Sequence, residues 1–303
     1  MNKKIIFGFS ILGLLVALSF FAPLLSPFDI GYSESIREEL QDGIRSPVFA
    51  PEPPNTRHPL GSDSYGYDML TCLLHGLPWT LAIIFGVAVL RSILGFAYGT
   101  IAALYGHSPA PPKTFSPLSA LPSFIIAYFI LYPFTINPLF SAFGLLVFQC
   151  LVIGLLELPA VARSFAAKGE TIAAMPFVEA ARASGASKTW IAIRHIAPAL
   201  LDDFFESIPV QAVATASFVA KLGFFSLFIG GTTLQVDPLI LRSTKQELIG
   251  LMGYYNGKFP EQFWLFLGPF VGWLVVLASA ELIASGLRDR AHKRIRLTSG
   301  RYA

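Results

Sequence analysis

The chain has 303 residues, 54% of them hydrophobic and 14% charged, with a net charge of +3 and a mean hydropathy of +0.60. An ordinary soluble domain carries roughly 25% charged residues and rarely gathers its apolar residues into runs of about twenty, the length that crosses a bilayer core. These values exclude a soluble domain, and the lack of a basic face interleaved with aromatics excludes nucleic-acid binding.

In chain order, the first apolar run covers residues 5–25 and follows Lys3 and Lys4. Phe20, Phe21 and Pro23 stand where a cleavable signal would carry small residues, so the run predicts a retained span. Residues 26–77 are rich in Pro, Ser and acid; Pro51, Pro53 and Pro54 forbid regular helix there, and the segment reads as extracytoplasmic. Further apolar runs cover 78–104, 118–133, 139–158, about 204–229 and 263–284. The run at 118–133 is short and contains Pro122, and a mixed polar segment, 230–262, separates the last two. The expected organisation is an N-terminal span (1–25), an outer segment (26–77), a core (78–285) with a charged loop at about 159–198, and a basic tail (286–303).

Sidedness follows from the Lys/Arg bias of loops near span ends. Three regions are basic: Lys3 and Lys4; Arg163, Lys168, Arg182, Lys188 and Arg194; and the tail with Arg288, Arg290, Lys293, Arg294, Arg296 and Arg301. All three are expected on the cytoplasmic side, which places both termini there and requires even numbers of crossings between them. Six spans satisfy this parity, four before the central loop and two after, and retain 118–133 as a span. The fold class expected is an all-α membrane protein of six transmembrane helices, multi-pass in contact with membrane lipid.

Arg91 falls in the second run, Lys221 in the fifth and Glu281 near the inner end of the sixth. An unpaired charge at mid-bilayer costs roughly 2.5–3.5 kcal/mol on insertion scales, so each must face a cavity, a partner or the interface. Arg91 and Lys221 are candidates for a substrate path; the alternative is a stabilising ion pair or a snorkelled side chain. Cys72 and Cys150 read as packing residues. The histidines (His58, His75, His107, His195 and His292) form no HExxH or i,i+4 pair, so no metal site is expected. Neither a GxSxG elbow nor a GxxxxGK[ST] phosphate loop occurs, and the stretch Gly185-Ala-Ser-Lys188-Thr189 lacks the glycine spacing of the latter. No cofactor is expected in this chain.

Residues 177–201 (FVEAARASGASKTWIAIRHIAPALL) carry the most information. Phe177 to Ser184 predicts a short Ala-rich helix, and Gly185 suits its end because glycine tolerates positive φ. Ser187 then caps a second helix with an apolar side of Trp190, Ile191, Ile193 and Ile196, and Pro198 marks its end or kink. The small residues Ala180, Ala181 and Ala183 let a partner approach closely.

Glu179-Ala180-Ala181, three residues, Gly185 and the later Pro198 resemble the EAA motif of ABC importer permeases, although Ala197 stands where that family commonly has Leu. His58-Pro59-Leu60-Gly61-Ser62-Asp63 with Gly66, Asp68 and Leu70 resembles the HPLGTD…GRD.L signature of the dipeptide/oligopeptide/nickel permeases, with Tyr67 in place of Arg. Ser285-Gly286-Leu287-Arg288-Asp289 resembles the ending of the same subfamily. The resemblance runs from about residue 5 to 296 and is loosest at 105–140 and 230–262. It implies a type I importer permease of the inner membrane in which Glu179, Ala180, Ala181 and Gly185 belong to a cytoplasmic coupling helix. It implies as partners a second homologous permease subunit, two ATPase subunits that bind ATP and Mg, and an extracytoplasmic solute-binding protein. A secondary transporter and an intramembrane enzyme are the other classes open to such a chain. The first would favour midplane ionisable groups with inverted repeats, the second a nucleophile–base or metal constellation, and neither pattern stands out.

Overall fold

The computed structural model describes residues 3–41, 44–105, 121–236, 239–255 and 260–299. Long helices dominate: α1 (Lys3–Phe20), α3 (Met69–Tyr105), α5 (Ala142–Ala173), α8 (Ala197–Phe224) and α10 (Phe263–Ser299). Shorter helices are α2 (Ala22–Leu25), α4 (Ser123–Thr135), α6 (Pro176–Ala183), α7 (Lys188–Ile191) and α9 (Leu248–Tyr255). Two antiparallel hairpins complete the fold, β1 (Ile36–Gln41) with β2 (Ile44–Phe49) and β3 (Thr232–Val236) with β4 (Leu239–Ser243).

Among the described residues, five helices are long and apolar enough to cross a membrane, one fewer than the six spans expected. The sixth candidate, α4, has 13 residues and reaches about 20 Å at 1.5 Å per residue, short of a bilayer core of about 30 Å. Its first residue, Ser123, bonds Glu157 midway along α5, and Gln149 bonds Thr135 at its far end. It therefore runs antiparallel to α5 along one half of that helix. Residues 118–120 of the expected run lie outside the described residues.

Several other boundaries differ from the sequence reading. The second span begins at Met69 rather than 78, because Pro78 sits inside a continuous helix. Likewise, α5 passes through Pro159 into what reads in sequence as a loop. A proline in a membrane helix frees a carbonyl, but neighbouring helices can re-satisfy it. Pro198 does not close the second helix of the central segment either. A π turn at Ala192–Ile196 precedes it, Ala197 N–H donates to the Ala192 carbonyl, and the chain continues as α8.

Side-chain contacts fix the helix directions. Lys4 meets Asp289 at 2.8 Å, and Gly8 and Gly286 let Ile283 and Ile5 approach, so α1 and α10 are antiparallel. On α3 and α5 the contacts climb together: Leu90 with Gly154, Gly95 with Val161, Gly99 with Phe165, Ala103 with Gly169. These two helices are parallel, and α4 lies on the return path between them. In turn α8 opposes α3, with Ser207 to Ser92 at 2.7 Å and Arg91 to Thr215 at 3.5 Å. The start of α1, the ends of α3, α5 and α10, and the start of α8 therefore share one end of the bundle. The helix ends next to all three basic regions of the sequence lie at that end.

The α3–α5 crossing is tightly packed toward the ends of both helices. A Cβ at Gly169 would lie 2.7 Å from the Gly99 carbonyl oxygen and 3.0 Å from the Ala103 Cβ. Lipid supplies no hydrophobic force between helices, so association relies on close packing over small residues. Gly169→Val should lower stability by about 1–3 kcal/mol through overpacking. Gly13→Ala, where a Cβ meets nothing within 4 Å, should be neutral. Thermal unfolding of the two purified variants checks the contrast.

Candidate functional site

The central segment forms a helix pair at the basic end of the bundle. Pro176 starts α6, whose Val178 is fully buried while Glu179, Ala180 and Arg182 are exposed. Gly185 ends it at φ +81, and a Cβ there would meet nothing within 4 Å. Ser187 caps α7 by accepting from Trp190 N–H at 3.2 Å. Beneath the pair lies a separate apolar cluster of Val178, Ile191, Ile196 and Leu200 with Phe165 and Ile172 of α5 and Ala103 of α3. The pair is thus fixed to the ends of two spans, while Met175, Phe177 and Trp190 remain exposed beside Glu179, Ala180 and Gly185. Ala181 is half-buried. The structure brings all four expected coupling residues onto one projecting knob.

Arg91 and Lys221 occupy different surroundings. Arg91 is 1% exposed, and its guanidinium donates to the carbonyls of Ile153 at 2.8 Å and Gly154 at 3.4 Å and to Thr215 Oγ1 at 3.5 Å. It ties α3, α5 and α8 together, and glycine at 154 lets α3 come close enough to make those bonds. Lys221 is exposed in the last turn of α8, with its ammonium 5.8 Å from the Phe124 ring. A polar groove of about 330 Å³ runs between α5 and α8, lined by Glu157, Ser164, Lys168, Asp203, Glu206 and Gln211 among others. Lys168 pairs with Asp203, and Ser123 donates to Glu157.

At the opposite end, the HPLGSD…GYD stretch is a buried knot. Asp63 accepts from the backbone N–H groups of Tyr65 (2.9 Å) and Tyr67 (2.8 Å) and from the Tyr255 hydroxyl (2.9 Å). His58 Nδ1 lies 3.0 Å from Asp68, whose other oxygen accepts from Thr71 N–H and hydroxyl at 2.8 Å and so starts α3. Gly66 sits at φ +81, with the Glu34 backbone where a Cβ would be. Arg37 grips Glu52 through two bonds of 2.9 Å and holds its carboxyl below the ordinary range. Arg242, from β4, lies 4.3 Å over the Tyr67 ring and 3.6 Å from Asp63. A guanidinium therefore reaches this knot from another segment, although Tyr67 stands where the related signature carries Arg.

The segment after α8 reads in sequence as a mixed polar loop, but much of it is buried. Gln149 donates to the Phe228 carbonyl at 3.1 Å and accepts from Gly230 N–H at 3.0 Å. Glu247 is buried, and Ile229 N–H donates to it at 3.3 Å. Sequence reasoning missed Gln149, Arg242 and Glu247; the available signal was a lone amide inside an apolar run.

Burial pushes the Glu247 carboxyl from 4.5 up to about 7. The fold holds a proton there that the unfolded chain releases. This contribution to stability is fully present below the unfolded value and is lost as pH rises through about 7. The unfolding temperature should fall between about pH 5 and pH 8. Glu247→Gln, which keeps an acceptor without a charge, should flatten that slope in a thermal melt series.

Residues 114–297, more than half of the chain, match the family described as binding-protein-dependent transport system inner membrane component. The chain is 24% identical to the di/tripeptide transport system permease of Pseudomonas aeruginosa, over 97% of this chain and 89% of that protein. It is likewise 24% identical to the dipeptide transport system permease of Alkalihalophilus pseudofirmus, over 95% and 85%. With the oligopeptide transport system permease of Mycobacterium tuberculosis it shares 26% identity over 78% and 76%.

Proposed function

The chain belongs to the family of binding-protein-dependent transport system inner membrane components, and from that premise we propose how it takes up work and passes cargo. It is a multi-pass inner-membrane permease subunit of an ABC importer of the peptide class, and ATP hydrolysis belongs to a separate subunit. ATPases and a binding protein are its general partners. The finer assembly proposed is a pair of homologous permease subunits on two ATPases, which hold ATP and Mg, with the binding protein docked at the hairpin end.

Glu179, Ala180, Ala181 and Gly185 contact the ATPase. The observation that carries this reading is the knob itself: exposed small and apolar residues on a helix pair whose underside is locked to α3 and α5. Force applied there reaches the spans because the buried cluster leaves little room to yield. Gly185→Val adds backbone strain of roughly 1–3 kcal/mol at positive φ and places bulk on the contact face. Ala181→Asp puts a charge into the contact. Both should insert at normal levels yet lose ATPase pull-down and uptake, while Lys188→Ala stays near wild type. Wild-type assembly and uptake in both damaging variants would sink the coupling assignment.

Cargo passes along the polar groove between α5 and α8. Arg91 supports this path from behind through Thr215, and Lys221 stands nearer its outer end. Charged and amide side chains in the membrane favour a water-filled cavity, which supports the reading. The knob and both termini face the cytoplasm, on the strength of their basic residues. Cysteines introduced at Ser187 and Ser299 should react with impermeant reagents only from the cytoplasmic side, and one at Ser46 only from outside. External labelling of Ser187 would reverse the orientation.

A further inference from the structure

A cavity of about 480 Å³ opens at the end of the bundle opposite the knob, between the first turns of α3 and the chain around β4. That volume falls in the range of small-ligand sites. Arg242 and Lys245 line it from one side and His75, Pro78 and Trp79 of α3 from the other, and no carboxylate is among the described residues of its walls. Arg242 is offset by Asp63 at 3.6 Å. Lys245 has no such counterion among the described residues; its ammonium lies 5.4 Å from the Trp79 ring, which positions the cation and leaves its charge unmet. The segment that carries Lys245 is clamped to α3. Leu248 N–H donates to Thr80 Oγ1 at 3.1 Å, and the Gln246 carbonyl occupies the space of a Cβ at Gly76. The cation is thus set in place before any ligand arrives, which lowers the cost of binding one.

Resting on the peptide-importer reading above, we propose that this cavity takes the C-terminal carboxylate of a peptide on its way in. Lys245 donates to the carboxylate, and Arg242 adds its field from beside Asp63. The single unmet cation matches one carboxylate, whereas a phosphate dianion would bring a charge in excess. The ammonium end of the peptide finds no acid on the described walls, so the carboxylate end is the one that enters. Ile30 and Pro78 are the aliphatic members of the lining, and no apolar slot for a lipid chain adjoins Lys245. Position agrees with this occupant: the cavity lies at the end where α3 begins, the side from which a binding protein delivers cargo.

Full-length chain in phosphatidylcholine nanodiscs, titrated with trialanine and followed by saturation-transfer NMR, should bind the peptide. Trialanine amide, which lacks the carboxylate, should bind about tenfold more weakly, the size of one charge-assisted hydrogen bond. Lys245→Gln should weaken trialanine binding by about the same factor, and Lys245→Arg should keep it. The amide comparison needs no variant, so it decides the matter even if Lys245→Gln does not fold. Equal binding of the amide, displacement of trialanine by equimolar inorganic phosphate, or unchanged binding in folded Lys245→Gln would overturn the assignment. ATPase pull-down by the same wild-type chain tests the importer reading separately. A chain that captures the ATPase yet ignores trialanine sinks the carboxylate site alone and leaves Lys245 to an acidic side chain of a docking partner.

Discussion

The close approach of α3 to α5 is the constraint on which the rest depends. Gly95, Gly99 and Gly154 remove the side chains that would hold the two backbones apart, and Gly169 meets the Gly99 carbonyl directly. Only at that separation does the Arg91 guanidinium reach carbonyls of α5. In lipid a charge has no water to fall back on, so the crossing and the arginine each make the other tenable. The parallel course of the two helices follows, and with it the need for a returning segment between them. Because both helices end at the same level, they form a common base for the apolar cluster under the α6–α7 knob.

The outer end solves a different problem with the same economy of partners. Between the β1–β2 hairpin and α3 the chain is irregular, and buried carboxylates add to its turn bonds. Asp63 and Asp68 each gather several donors, the Glu52 carboxylate gathers Arg37 and Asn55, and the Glu52 backbone N–H donates to Ser62 Oγ. Tyr255 and Arg242 bring the segment after α8 into the same knot. The signature stretch is thereby a structural clasp between two distant parts of the chain. Most of its residues are buried, with Pro59 left exposed.

What could be read from sequence divides along physical lines. The long apolar runs, the basic ends and the helix–Gly–helix were legible because hydropathy, charge bias and capping are local properties. The φ of Gly185 and the cap at Ser187 appear where the local chemistry calls for them. Proline misled at Pro78, Pro159 and Pro198, because its cost within a membrane helix depends on neighbours that are remote in sequence. The short α4 was hidden because an apolar run says nothing of where its helix begins. The roles of Arg91, Gln149 and Arg242 are set by partners 62, 79 and 179 residues away, and no pattern within a window can name those.

The π turn before Pro198 has a geometric consequence for the groove. One α-helical residue advances the chain by about 100°, so one extra residue in a turn shifts everything after it by about that angle. The face of α8 that carries Asp203, Glu206, Ser207 and Gln211 owes its heading to this single added residue. Shortening Ala192–Ile196 by one would leave the knob's composition untouched, yet would swing the carboxylates of α8 about a quarter-turn around its axis. The knob and the groove are therefore phased to each other, like two gears cut on one shaft.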